Sequence, residues 1–134
     1  MFDNILIKTP EQIEGIRAAC CDAALVLDYI EPFVKAGVTT EYLDDLMLRY
    51  TEDVLKDKSA CLNYDPDGTN PYPKATCISV NHQICHGIPN EKVLKNGDIL
   101  NIDVTVIKNG YYGDTSRMYS VGHISCLLYT SDAA

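Results

Sequence analysis

Ile99-Leu-Asn-Ile-Asp-Val-Thr-Val-Ile-Lys108, Asn109-Gly110, Tyr111-Tyr-Gly-Asp-Thr-Ser-Arg-Met118 is the stretch that decides the fold. Ile99 to Ile107 is β-branched and long enough for a strand. Asn109-Gly110 is the strongest short hairpin signal, because both central residues of a type I′ turn need positive φ. Tyr111 to Met118 is the returning strand. With a two-residue loop, Lys108 faces Tyr111, Thr105 faces Asp114 and Asp103 faces Ser116. Side chains alternate along a strand, so Asp103, Thr105 and Asp114 share one face. Asp103 and Asp114 are then diagonal neighbours with β-carbons roughly 7 Å apart.

Two carboxylates so placed repel each other unless a cation lies between them. A divalent pair about 3.5–4 Å apart suits such a couple, and with a histidine added the donor set fits Mn, Fe, Co or Zn. The competing reading is a plain polar face, with Asn101, Asp103, Thr105, Asp114 and Ser116 turned to solvent as on many antiparallel hairpins. Spacing alone favours that polar face; the depletion of aspartate at strand centres tilts only slightly toward a site. His86, alone after a strand, is by itself more often a surface or satisfied residue than a catalyst. A Cys85–His86 protease couple is disfavoured, since adjacent side chains on extended chain point apart. His82 and His123 read as surface residues.

Working outward, Thr9-Pro10-Glu11-Gln12 is a helix start: a capping threonine, proline at the first turn and a T-x-x-Q box. Ile13, Ile16, Cys20, Ala23, Leu27 and Ile30 follow at spacings of three and four, one apolar stripe, and Pro32 and Gly37 end it. A second helix begins near Thr39 or Thr40 and turns Leu43, Leu46, Met47, Tyr50 and Val54 inward. Asn63 to Pro73 is turn-rich and predicts a surface loop. Thr76 to Asn81 reads as a short strand and Gly87-Ile-Pro-Asn90 as a turn.

The 134 residues suffice for one domain with a core. The net charge of −8 disfavours nucleic-acid or anionic-membrane partners, which require basic patches. No apolar run of about 18 residues predicts a membrane span. Met-Phe-Asp-Asn carries no basic leader, which points to the cytoplasm. Cys20, Cys21, Cys61, Cys77, Cys85 and Cys126 form no C-x-x-C pair and are read as free, buried thiols. Residues 126–134 share no pattern with what precedes them and are read as a non-native tail.

The strings Cys85-His-Gly-Ile-Pro89, Gly97-Asp-Ile-Leu-Asn-Ile-Asp-Val-Thr-Val106 and Gly113-Asp-Thr-Ser-Arg-Met118 resemble bacterial type I methionine aminopeptidases. So do the opening Ile7-Lys-Thr-Pro-Glu11 and Ile30-Glu-Pro-Phe-Val34. The resemblance covers about residues 5–125 and implies the α/β (α+β) "pita-bread" creatinase/aminopeptidase fold. Residues 1–125 would form its first pseudo-symmetric half, the amino-terminal half of the catalytic domain. It implies a metalloexopeptidase that removes the initiator methionine by attack of a metal-bridged water. Two divalent ions (Co, Mn, Fe or Zn) and a monovalent cation are the implied cofactors. Asp103 and Asp114 match metal ligands, and His86 matches the histidine that contacts substrate and stabilises the transition state. Thr105 matches a residue beside the metals, and Asn81 one that helps hold the monovalent cation. Cys61, Tyr64, Tyr72 and Cys77 match the lining of the methionine pocket. The implied partners are peptides beginning with methionine and the ribosome, and the implied full enzyme is a monomer.

Two departures accompany the resemblance. Asp65 to Pro71 intervenes where many members pass directly between the pocket tyrosines. The remaining histidine and two glutamate ligands have no matching position, so this chain alone is expected to be inactive. Prolidases and proline-specific aminopeptidases share the aspartate hairpin and are the first alternative. A pita-bread binding module without catalysis is the second.

Overall fold

The computed structural model describes residues 6–125; the expected tail at 126–134 lies outside them. The hairpin is the organising element. Strands β3 (Ile99–Lys108) and β4 (Tyr111–Ser120) pair antiparallel with Thr105 opposite Asp114 and Asp103 opposite Ser116, the register the two-residue loop requires. Asn109 and Gly110 both have positive φ, 50° and 82°, as a type I′ turn demands.

β4 occupies one whole edge of β3. The other edge takes two short strands end to end: β1 (Lys58–Ser59) against Val106–Ile107 and β2 (Cys77–Val80) against Leu100–Asp103. The excursion of residues 62–76 leaves the sheet between them. It holds no regular element across 63–73, as its composition predicts, and is closed at its base. Asn63 N–H donates to the Tyr72 carbonyl at 2.9 Å, and Tyr72 N–H to the Tyr64 carbonyl at 2.8 Å.

Helix α1 (Pro10–Ile30) covers one face of the sheet. Its start carries the full capping box, with Thr9 Oγ1 and the Gln12 side chain each accepting from the other's backbone N–H. Ala23, Val26, Leu27 and Ile30 pack on Leu100, Ile102, Val104 and Val106, and Tyr119 donates its hydroxyl to the Leu27 carbonyl at 2.8 Å. Gly113 lets the helix close on β4, since a β-carbon there would overlap the backbone of Ala19. Helix α2 (Thr40–Arg49), capped by Thr39, adds Leu43 and Met47 to the core and ends in a π-helical turn, Tyr50–Val54.

Three expectations are corrected. The stripe of α1 begins later than its periodicity suggests: Ile13 and Cys20 are exposed, and Ala19 and Val26 are buried instead. Gly15 packs on Tyr111 and Ala19 on Gly113, so α1 runs alongside β4 and its first turn projects past the hairpin tip, where Ile13 is 44% exposed. Val54 is exposed, because the π-helical turn takes it off the inward face. The described thiols are free but not buried: Cys20, Cys21 and Cys85 are exposed, and Cys61 and Cys77 half-buried.

Candidate active site

The alternation of β3 sets its even-numbered residues against α1 and turns Asn101, Asp103 and Thr105 to the opposite face, half-buried. Asp114 joins that face from β4 and is exposed. The two carboxyl groups interact directly. Burial, then the charge and hydrogen bonding of Asp114, hold the Asp103 carboxyl above its ordinary range, while His86 acts in the other direction. A cation would relieve this repulsion, so the pair fits two ligands of a metal site. Among the described residues no group of three or more His, Cys, Asp or Glu is gathered to hold a metal ion.

Beside the aspartates a cavity of about 510 Å³ opens, lined by Ala60, Cys61, Tyr64, Tyr72, Cys77, His86, Thr105 and Tyr112. Its walls follow from the topology. Cys77 begins β2 opposite Asp103, and Ala60 N–H donates to the Thr105 carbonyl at 2.9 Å, so Cys61 leaves β1 where β2 begins. Ser59 Oγ ties the two segments together, donating to the Ala75 carbonyl at 2.8 Å and accepting from Cys61 N–H at 3.1 Å. The buried Asp44 holds the approach to β2 by accepting from Thr76 N–H at 2.8 Å, the Thr76 hydroxyl at 2.7 Å and Ala75 N–H at 3.3 Å. Tyr72 Oη lies 3.0 Å from the Thr76 carbonyl and 3.4 Å from Cys77 Sγ. Its hydroxyl pKa is raised, chiefly by burial.

Cys61 and Cys77 line the same cavity. The Cys61 thiol, with Tyr72 adding to its effect against an opposing burial effect, holds Cys77 down to about 6; the Cys77 thiol, then burial, raises Cys61.

His86 reaches the cavity through an unusual backbone. Its φ is +54°, in the left-handed region. Gly87 anchors the turn: its N–H donates to Ser79 Oγ at 3.0 Å and its carbonyl accepts from Ile78 N–H at 2.8 Å.

The structure therefore brings Cys61, Tyr64, Tyr72, Cys77, His86 and Thr105 to one cavity beside Asp103 and Asp114. It does not bring Asn81 there. Asn81 stands at the far end of β2 from Cys77, with φ +55°, its side chain donating to Asp98 at 2.9 Å and accepting from Ile99 N–H at 3.0 Å. His82 and His123 are exposed, as expected. Sequence reasoning missed Ala60, which carries no chemical signal. It also missed Tyr112, although the hairpin register that pairs it with Ile107 sets it on the face of Asp114.

Residues 14–130 match the model of metallopeptidase family M24. The methionine aminopeptidase of Haemophilus influenzae is 56% identical over 119 residues, which span 88% of this chain and 42% of that protein. The crystal structure of methionine aminopeptidase from Rickettsia prowazekii superposes with a TM-score of 0.88 at 47% identity, covering 95% of this chain and 49% of that one. An Xaa-Pro dipeptidase from Bacillus anthracis, 22% identical, superposes at 0.74 over 93% of this chain and 32% of its own, a likeness of fold. The chain thus has the fold of about one half of these pita-bread enzymes, and it spans less than half the length of the curated relatives it matches.

Proposed function

The chain belongs to metallopeptidase family M24, and on that premise we propose that it is the first half of a methionine aminopeptidase, acting on peptides and nascent proteins that begin with methionine. The observation that carries the reading is the single cavity that places Cys61, Tyr64, Tyr72, Cys77 and His86 beside Asp103 and Asp114. A thioether suits such a lining, where polarizable sulfur meets aromatic rings.

Asp103 and Asp114 would hold two divalent ions, Co, Mn, Fe or Zn, together with ligands from elsewhere in the full protein. Such ions supply a water of lowered pKa and polarise the scissile carbonyl. This chain's own residues bind and orient. The cavity takes the methionine side chain and excludes water from it. His86, fixed by the Gly87 turn, contacts the substrate where negative charge develops. Thr105 occupies the strand position opposite Asp114 and would stand beside the metals. Asn81, away from the cavity, belongs with the monovalent cation. With two aspartates as its metal-binding carboxylates, the chain alone has little or no activity. Among the described residues no helix is long and apolar enough to cross a membrane; we place the enzyme in the cytoplasm, as a monomer, working close to the ribosome.

The test joins this chain to the second half of a methionine aminopeptidase and assays the product with Mn²⁺ or Co²⁺. Release of methionine from Met-Ala-Ser, abolished by Asp103→Ala, is the expected result. Preference for an Ala-Pro peptide would move the chain to the proline-specific relatives. Inactivity on both, with the metals bound, would make it a binding module.

A further inference from the structure

β1 and β2 lie along the same edge of β3 as two pieces of one interrupted strand. The chain leaves that edge at Cys61 and returns to it at Cys77. Residues 62–76, the whole turn-rich excursion, lie between. The two cysteines therefore meet at the neck of a loop, both on the wall of one cavity. Ser59 holds their segments together, and Asp44 holds the approach to Cys77. Both thiols are free and half-buried, within reach of a small solute entering the cavity.

We propose that Cys61 and Cys77 form a reversible redox site, which a peroxide closes into a disulfide that staples the neck of the loop and obstructs the cavity. The Cys77 sulfur, 3.4 Å from the Tyr72 hydroxyl, attacks one peroxide oxygen and gives up its thiol proton to the other. The O–O bond breaks, one molecule of water leaves, and Cys77 becomes a sulfenic acid. The Cys61 sulfur attacks the Cys77 sulfur, an S–S bond forms, and the sulfenic oxygen departs as a second water with the thiol proton. Two thiols have lost two electrons to one peroxide. A dithiol reductant returns them by exchange through a mixed disulfide. The cross-link follows from the neighbouring sulfurs alone. Its consequence, exclusion of a methionine side chain, rests on the aminopeptidase reading.

The test treats the full chain with hydrogen peroxide, alkylates the remaining thiols and maps the unreduced digest by mass spectrometry. A Cys61–Cys77 cross-linked peptide is expected, in excess over any other pairing on the order of tenfold, because a preorganised pair reacts at high effective concentration. Dithiothreitol should remove it. In Cys61→Ser, Cys77 should stop at a sulfenic acid trapped by dimedone. Oxidation of the exposed Cys20, Cys21 and Cys85 while Cys61 and Cys77 stay alkylatable would overturn the proposal, as would pairing of Cys77 with any other cysteine. The readout requires no peptidase activity, so it stands or fails apart from the functional assignment.

Discussion

Gly87 and Ile78 touch backbone to backbone: Ile78 N–H donates to the Gly87 carbonyl at 2.8 Å, and a β-carbon on Gly87 would overlap the carbonyl oxygen of Ile78. The neighbour is strand backbone and cannot move aside as a side-chain tip can. The Gly87→Ala variant should therefore displace the turn that carries His86 and lose about 1–3 kcal/mol, the usual penalty of overpacking. Denaturant melts measure the loss. A shift of the His86 imidazole signals in NMR, with those of His123 unmoved, would localise it. Unchanged stability and unchanged His86 signals would show that the turn is not clasped as described.

Two other glycines separate strain from overlap. Gly110 has φ +82° and open space around the position of a β-carbon, so Gly110→Ala should cost about 1–2 kcal/mol through the left-handed backbone alone. Gly113 sits against the carbonyl of Ala19, where α1 packs on β4, and Gly113→Ala must push helix from sheet. Its cost should exceed that of Gly110→Ala, and thermal melts of the two variants order them. Equal losses would mean that α1 yields at Ala19.

The hairpin was legible because its signals are local. Period-two β-branching and Asn109-Gly110 specify the register, and the register places Asp103, Thr105 and Asp114 on one face. The capping box at Thr9 is local too. What the sequence withheld depends on other elements. The burial of Ala19 in place of Cys20 follows from the missing side chain of Gly113, distant in the chain. The position of His86 follows from hydrogen bonds between its turn and β2. Neither leaves a periodic trace. The pocket residues Cys61, Tyr64, Tyr72 and Cys77 were found through the family resemblance, since scattered cysteines and tyrosines read equally well as core.

Tyr119 gives the fold a pH limit on the alkaline side. Burial, the largest effect, pushes its hydroxyl from 10.0 up to about 12, with the Arg117 charge opposing. A group whose folded pKa is raised contributes stability that is fully present below its unfolded value and lost as pH rises through the folded one. Stability should therefore fall between about pH 10 and pH 12, in step with tyrosinate absorbance. Lys108, raised chiefly by Asp22, loses its contribution in the same direction. The Tyr119→Phe variant gives up the bond to Leu27, about 1 kcal/mol at neutral pH, and should show a shallower alkaline decline. An alkaline profile that the variant leaves unchanged would assign the fall to other groups.

Asp44 is a buried carboxylate with no chemistry of its own, accepting three hydrogen bonds from Ala75 and Thr76. Asp44→Ala strands buried donors and should cost about 3 kcal/mol or more. Asp44→Asn keeps the shape but must turn an N–H₂ toward either the Ala75 amide or the Thr76 donors, so it should recover only part of the loss. The two variants differ most at Thr76, and amide hydrogen exchange at Thr76 should rise in both. Full recovery by asparagine would show that the charge is immaterial to the anchor.

Asp103 and Asp114 oppose each other in the metal-free chain, and this sets a prediction of unusual sign. Removing a site carboxylate should stabilise the chain while destroying its site. Like charges placed as cross-strand neighbours cost on the order of 1 kcal/mol or less, and Asp114→Asn relieves that repulsion. Its metal-free melting temperature should rise by a few degrees. Calorimetry with Mn²⁺ or Co²⁺ should give weak binding to the native chain, because two aspartates supply few ligands, and none to Asp114→Asn or Asp103→Ala. A variant that melts lower than the native chain in the absence of metal would mean that the pair is held together by a shared proton and is not repulsive. Tight binding of about two ions by the native chain, abolished by Asp103→Ala, would mean that the fragment completes its own site and that the inactive-half reading is wrong.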